Sequence, residues 1–281
     1  MKKYPFFQVM AVAVAICILG GVLAFCSKDE PANTENNDLP NTQPVLTQPT
    51  QPPVTDTRTM ARRMIAEAAE YYGVSEDVWP ESLVELLERN RETQAFVLGY
   101  PVEHDKEHEI DMREYENCEG VPLFMQWDPR WGYNQYGTNI AGLNGCGPVS
   151  LSMVAYYFTK DPNMSPDKIL EFAYENRYCT PENGTAWTLI SKGSAKLGLK
   201  AKTVPLVEGT MRKELNAGHP IIVCMGPGDF TTTGHFIVLV AYEDGMFRVN
   251  DCNSYANSEK LWPFEQIAGQ IRGMWAISYS G

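Results

Sequence analysis

The order of helical and strand-like segments after residue 121 constrains the fold of this chain more than any other feature. A short strand-like run, VPLFMQ, precedes three segments with helical start and stop signals, at residues 148–158, 166–176 and 185–197. Five strand-like segments then follow: KAKTV, PIIVCM, HFIVLVAY, MFRVND and MWAISY. Because the helices come first and successive strands are joined by tight turns, the pattern predicts an α+β fold with an antiparallel sheet.

The N-terminus carries a signal for export. Lys2 and Lys3 precede an uncharged, mostly apolar run at residues 6–26, long enough to cross a bilayer as a helix. The lysines favour a cytoplasmic N-terminus with the body of the chain outside the cell membrane. A signal peptide cleaved near residues 24–26 and a lipoprotein signal at LAFC are the alternatives, and each of them also exports the body.

The chain divides into four regions by composition and periodicity. Residues 1–26 form the predicted anchor, and residues 27–58 are rich in Pro, Thr and Gln, which predicts a disordered stalk. Residues 59–118 show helical periodicity and are interpreted as a helical lead-in that packs on the main domain. Residues 119–281 contain the predicted α+β domain.

The charge balance and the motifs exclude several functions. The net charge of −12 would repel nucleic acid, so no nucleic-acid partner is expected. The segment HDKEH at residues 104–108 fits a zinc-peptidase pattern, but its polar flanks favour a solvated charge run over a metal site. No P-loop motif is present. We therefore predict neither a metal nor a cofactor, and the sequence favours no particular oligomeric state.

Cys146 is the candidate nucleophile. It lies between two glycines in NGCGPVSLSMV, where the first predicted helix of the main domain can begin. A helix N-terminus favours a thiolate, and glycines allow a substrate to approach. The same pattern also fits an inert cysteine. Five cysteines lie outside the apolar run, so at least one is unpaired within the chain, and the pairing of the other four is open: Cys118, Cys179, Cys224 and Cys252.

A nucleophilic thiol needs a base, and His235 is the best placed of the four histidines because it opens the strand HFIVLVAY. A three-residue hairpin loop at 243–245 would place Asp251 opposite Ile237 and Asn253 opposite His235, on the face that His235 uses. A two-residue loop would place both on the other face. Asp251 is preferred over Asn253 as the orienting residue because a carboxylate also stabilises an imidazolium.

Gln126, at the end of VPLFMQ, is the candidate side-chain donor to an oxyanion, beside the Cys146 backbone N–H. On its own this glutamine would be unremarkable.

Taken together, these residues resemble a known family. The resemblance rests on five segments of the sequence: VPLFMQWDPRWGYNQYG, NGCGPVSLSMV, GTAW, GPGDFTTTGHFIVL and VNDCNS. They are similar to the exported papain-like cysteine peptidases of family thirty-nine, relatives of the peptidases that trim double-glycine leaders from bacteriocins. The resemblance covers roughly residues 119–281 and implies a papain-like fold, with a helical lobe led by the nucleophile's helix and a sheet lobe.

The resemblance also implies the roles of four residues. Cys146 would be the nucleophile, His235 the general base and acid, Asp251 the orienting residue and Gln126 part of the oxyanion hole. Two departures from the family pattern stand out. Gln126 lies farther before the cysteine than in the leader-processing enzymes, and Cys252 stands where a proline usually follows the aspartate.

The expected protein is therefore a membrane-anchored extracellular cysteine peptidase that acts on a peptide or protein substrate through a thioester. The alternatives are a cell-wall peptide amidase or endopeptidase that uses the same residues, and a catalytically inactive peptide-binding module.

Overall fold

The computed structural model describes residues 57–180 and 184–279. The predicted anchor at residues 1–26, and the predicted stalk up to residue 56, lie outside the described residues. Within the described part of the chain, no helix is both long enough and apolar enough to cross a membrane.

Helices dominate the first part of the described chain, as the pattern predicts. The α-helices are α1 (Thr57–Tyr72), α2 (Glu81–Arg89), α3 (Gln94–Glu103), α4 (Pro129–Gly132), α5 (Ala141–Asn144), α6 (Cys146–Thr159), α7 (Pro166–Glu175), α8 (Ser194–Lys196), α9 (Glu208–Asn216), α10 (Tyr255–Ser258) and α11 (Phe264–Ala268). A π-helical turn precedes α8, and short 3₁₀ turns include the one at Arg91–Thr93.

Strands dominate the second part and form an antiparallel sheet, which confirms the predicted α+β class. The strands are β1 (Gln135–Tyr136), β2 (Asn139–Ile140), β3 (Leu199–Thr203), β4 (Ile221–Met225), β5 (His235–Glu243), β6 (Met246–Asn250), β7 (Leu261–Trp262) and β8 (Ile271–Tyr279). The order in the large sheet is β3-β8-β4-β5-β6-β7, and β1 and β2 form a separate pair. The expected strand VPLFMQ is wrong, because residues 121–126 join no sheet.

The expected three-residue loop between β5 and β6 is also wrong. Glu243 pairs with Met246, so only Asp244 and Gly245 lie in the loop. Both have positive φ, 52° and 79°, as a type I′ turn requires. With this loop alone, every side chain of β6 would lie on the face opposite to the expected one.

A register shift at Val240 reverses that effect. The ladder of β5 and β6 is interrupted there, and beyond it Val238 pairs with Asn250, as the three-residue loop would have required. An extra residue in one strand of an antiparallel pair moves the following side chains to the other face. The residue after β6, Asp251, therefore reaches the same face as His235, the first residue of β5.

Helix α6 joins the helical part to the sheet. Residues 147–156 are buried without interruption, because the helix is apolar on all sides. The Ser150 hydroxyl donates to the Phe236 carbonyl at 3.2 Å and links the N-terminal part of α6 to the start of β5. The structure thereby brings Cys146 and His235, the first residues of these two elements, to the same place.

Helices α1–α3 build a small core of their own against residues 127–143. The Phe96 ring stacks on Tyr133 with 4.3 Å between the ring centroids and presses on the backbone of Gly142. A Cβ on Gly142 would lie 2.6 Å from the ring, so only glycine fits there. The helical lead-in is therefore packed directly on the elements that precede Cys146.

Candidate active site

Cys146 is a partly exposed free thiol at the first residue of α6. Its Sγ hydrogen-bonds the His235 side chain and the backbone N–H groups of Phe236 and Gly147. Gly147 is buried against Thr185, which a Cβ would approach to 2.7 Å, so this glycine permits close packing beside the thiol. The position of Gly147 is thus explained by packing against Thr185, whereas the sequence predicts a role in substrate approach.

The surroundings of Cys146 favour its thiolate. Burial acts to raise the pKa of the thiol, but the hydrogen bond and charge of His235, with the two backbone donors, outweigh burial. The pKa of Cys146 consequently lies below its ordinary value. A lowered pKa is what distinguishes a nucleophilic cysteine from a structural one.

His235 is held by Asp251. The His235 ring Nε2 lies 2.7 Å from Asp251 Oδ1, and both side chains are buried. This leaves Nδ1 as the ring nitrogen that can meet the Cys146 thiol. Burial acts to lower the pKa of His235, but the charge and hydrogen bond of Asp251, together with the two cysteines beside the ring, outweigh burial and raise that pKa well above its ordinary value. Thiolate and imidazolium are thus favoured as a pair.

Asp251 is itself fixed by two further donors. Its Oδ2 accepts from Asn257 Nδ2 at 2.9 Å, and its Oδ1 accepts from the Asn253 N–H at 2.9 Å. Burial acts to raise the pKa of Asp251, yet His235 and these donors hold it below its ordinary value. The Asn253 side chain points elsewhere, toward Asn90 at 3.4 Å. Of the two candidates for the orienting residue, the structure places Asp251 against the imidazole.

Gln126 is buried in the same cleft as Cys146. Its Nε2 donates to the Gly142 carbonyl at 2.8 Å, and its Oε1 accepts from the Cys252 thiol at 3.4 Å. The amide nitrogen carries a second N–H, and Gln126 is among the residues that line the cleft. The long separation between Gln126 and Cys146 is taken up by α4, β1, β2 and α5.

The sequence does not indicate that Cys252 lies inside the candidate active site. Its buried Sγ contacts the Gln126 amide and the carbonyls of Cys146 and Phe236, at 3.4, 3.8 and 3.6 Å, and it hydrogen-bonds His235. Burial raises the pKa of this thiol to about 11, so it stays protonated at neutral pH. Cys252 therefore lies beside the histidine as a neutral thiol that donates its S–H to the Gln126 amide oxygen.

The remaining cysteines differ from Cys146. Burial raises the pKa of Cys179, and it raises the pKa of Cys224 to about 11. All five described cysteines are free thiols, including Cys118.

A cleft of about 950 Å³ opens over Cys146. One wall is the loop 228–234, another is the segment around Thr185 and Trp187, and a third comes from α2 and the turn after it. Nothing in the local sequence pattern of residues 59–118 indicates this third wall. The lead-in residues that line it are Leu86, Arg89, Asn90, Arg91 and Glu92.

The described residues offer one cluster with the donor types of a metal site: His235, Asp251 and Cys252, whose donor atoms lie within 4.8 Å of one another. The hydrogen bond between His235 and Asp251 already uses two of these atoms. In the segment HDKEH, α3 ends at Glu103, and the rings of His104 and His108 contact the carbonyls of Tyr100 and Glu103. The helix that the zinc-peptidase pattern requires is therefore absent at these histidines.

The sequence of the chain is similar to a known protein family. The solved structures that the chain is similar to include the peptidase domain of Streptococcus ComA, a bi-functional ABC transporter involved in a quorum sensing pathway, and a putative C39-like peptidase from Bacillus anthracis. The first is 19% identical, with a TM-score of 0.38 over 56% of this chain and 96% of that one. The second is 15% identical, with a TM-score of 0.35 over 58% and 98%. No curated protein matches the chain significantly. The sequence model of the Peptidase_C39 like family matches residues 118–280, more than half of the chain, and the protein therefore belongs to this family of peptidases.

Proposed function

We propose that this protein is an exported cysteine peptidase of papain-like architecture, with Cys146 as nucleophile, His235 as general base and acid, Asp251 as orienting residue and Gln126 in the oxyanion hole. The observation that carries the proposal is the continuous hydrogen-bonded chain from the Cys146 thiol through His235 to buried Asp251. Family membership supports peptide-bond hydrolysis as the reaction.

The reaction begins with attack of the Cys146 thiolate on the carbonyl carbon of the scissile bond. The oxyanion that develops is stabilised by the free N–H of Gln126 and the backbone N–H of Cys146. The His235 imidazolium then donates its proton to the leaving amine, and a thioester remains. His235 next removes a proton from water, which attacks the thioester, and the thiolate is regenerated with release of the acid product.

Asp251 keeps the imidazole in the required tautomer and stabilises its cationic form. The cleft between the loop 228–234 and the lead-in wall is the proposed site of the peptide substrate, because both line the space over Cys146. The polarised thiol disfavours the inactive peptide-binding alternative, since a binding module has no need of a lowered thiol pKa. A cell-wall amidase or endopeptidase would use the same residues and differ only in its substrate.

The test is cleavage of a complex peptide pool by the full chain, with new peptide ends identified by mass spectrometry. Cys146→Ala should abolish cleavage, whereas Cys118→Ala, a partly exposed thiol outside the cleft, should retain it. Cleavage that survives Cys146→Ala would refute the mechanism. A wall-peptide preparation added in parallel identifies the amidase, because only that alternative predicts release of wall fragments without cleavage of the pool.

Export is supported by the two lysines and the uncharged run of residues 1–26. A membrane-impermeant maleimide added to intact cells should label the partly exposed Cys118. Labelling that appears only after the cells are lysed would contradict an external peptidase domain.

A further inference from the structure

The helical lead-in contacts residues 253–256, the loop that follows Asp251 in the candidate active site. The lead-in precedes residues 118–280, which match the family. The contact is made by Glu92, in the 3₁₀ turn that follows α2. Its Oε1 accepts from the Ser254 hydroxyl at 3.0 Å and from the Ala256 N–H at 3.2 Å. Its Oε2 accepts from the Tyr255 N–H at 2.5 Å. One carboxylate therefore receives three donors from the segment that follows Asp251.

That segment holds the carboxylate that faces the histidine. Ser254 Oγ accepts from the Asn257 N–H at 3.2 Å, and Asn257 Nδ2 donates to Asp251 Oδ2 at 2.9 Å. Asp251 then accepts from His235 at 2.7 Å. Glu92 is thus connected to the imidazole through the turn 254–257 and Asp251, without touching the reacting atoms.

A second contact reinforces the first. Asn90 Nδ2 donates to the Asn253 carbonyl at 2.6 Å, and Asn90 Oδ1 accepts from the Glu92 N–H at 3.0 Å. Asn90 therefore fixes the 3₁₀ turn that presents Glu92 and also binds the loop directly after Asp251. On the other side of the site, Phe96 presses on Gly142, whose carbonyl orients Gln126.

We propose that Glu92 is a positioning residue of the peptidase: it holds the turn 254–257 so that Asp251 keeps His235 aligned with Cys146. The proposal rests on the proposed function. It gives residues 59–118 a role in catalysis, as a support for the catalytic loop. A carboxylate suits this position because its two oxygens accept all three donors, while an amide would turn its own donors toward some of them.

The experiment measures the rate of alkylation of each cysteine by limiting iodoacetamide in the full chain, by mass spectrometry, from about pH 5 to pH 9. Glu92→Ala should slow alkylation of Cys146 about tenfold at pH 6 and move the acid limb of its pH profile to higher pH. A change of this size is expected when charge-assisted hydrogen bonds are lost. Glu92→Gln should show a smaller change in the same direction. Glu85→Ala, at an exposed acid of α2 outside the cleft, should react as the wild type does.

Buried Cys224 reports on folding in the same experiment. Slower alkylation of Cys146 with no gain at Cys224 supports the positioning role. If both Glu92 variants alkylate Cys146 at the wild-type rate, the positioning role is wrong. It is also wrong if slower alkylation of Cys146 is always accompanied by faster alkylation of Cys224, because Glu92 would then only stabilise the fold. If the wild type itself alkylates Cys146 no faster than Cys224, the proposed function fails rather than this inference.

Discussion

Replacement of Asp251 by asparagine removes one charge and one acceptor from the site while leaving its shape unchanged. Asp251 is 1% exposed, and its two oxygens accept from three donors: His235 Nε2, the Asn253 N–H and Asn257 Nδ2. Asparagine has one oxygen. If that oxygen faces His235, the new amide nitrogen faces the Asn257 amide; if it turns around, the nitrogen faces the histidine and the Asn253 N–H. Neither orientation satisfies all three donors.

The magnitude follows from these contacts. A buried donor left without an acceptor costs about 1–3 kcal/mol, so Tm should fall by several degrees, at about 2–4 °C per kcal/mol. Loss of a buried charge-assisted hydrogen bond to the imidazolium, about 3 kcal/mol, should lower kcat/KM about 100-fold and move the acid limb of Cys146 upward by about 2 pH units.

The assay is peptide cleavage across pH, with alkylation of Cys146 followed in parallel. Asn253→Ala is the matched comparison, because the Asn253 side chain faces Asn90 and only its backbone donates to Asp251. It should lose less than about tenfold in kcat/KM, since that backbone donor is kept. Asp251→Asn activity within a few fold of wild type would refute the reasoning that a carboxylate orients His235.

Three further predictions concern other parts of the site. The pH profile of kcat/KM should be bell-shaped. Its acid limb, from Cys146, should lie below the ordinary pKa of a thiol, and its alkaline limb, from His235, above the ordinary pKa of an imidazole. A profile that only rises through the ordinary thiol pKa would contradict a preformed ion pair. Gln126→Ala should lower kcat about 100-fold with little change in KM, as loss of an oxyanion donor does, and an effect on KM alone would argue against that role. Gly142→Ala should lower Tm by about 4–8 °C through overpacking of about 2 kcal/mol against Phe96, and an unchanged melting curve would show that the ring can move aside.

Much of the local structure was predictable because its causes are local. Helix α6 was expected to begin just after Cys146 and does begin at that residue, since Pro148 suits a first helical turn and the apolar run continues the helix. His235 opens β5, because a glycine-containing loop precedes an unbroken apolar run. These two expectations placed the principal residues of the candidate site at the starts of the right elements.

The register of β5 and β6 was predicted correctly at Asp251 only because two errors cancelled. Asp244 and Gly245 form the two-residue turn that such a pair favours, and that turn alone would have placed Asp251 on the wrong face. The shift at Val240 corrects it, and an apolar run of β-branched residues contains no local sign of a bulge.

Long-range contacts account for what sequence reasoning missed. Glu92 meets residues 254–256 across more than half of the chain, and the burial of Cys252 depends on Gln126 and on α6. Likewise β8, the last strand, inserts between β3 and β4. Such pairings are decided by packing of the whole domain, and propensity and periodicity describe only neighbours in sequence.

The most direct test of the account is competition among the cysteines of the wild-type chain for limiting iodoacetamide. The account predicts that Cys146 is alkylated first at about pH 6, ahead of Cys179, Cys224 and Cys252, because it alone among these has a lowered pKa. His235→Ala should remove that advantage. If Cys146 reacts no faster than the partly exposed Cys179, Cys146 is not a poised nucleophile and the proposed peptidase mechanism is wrong.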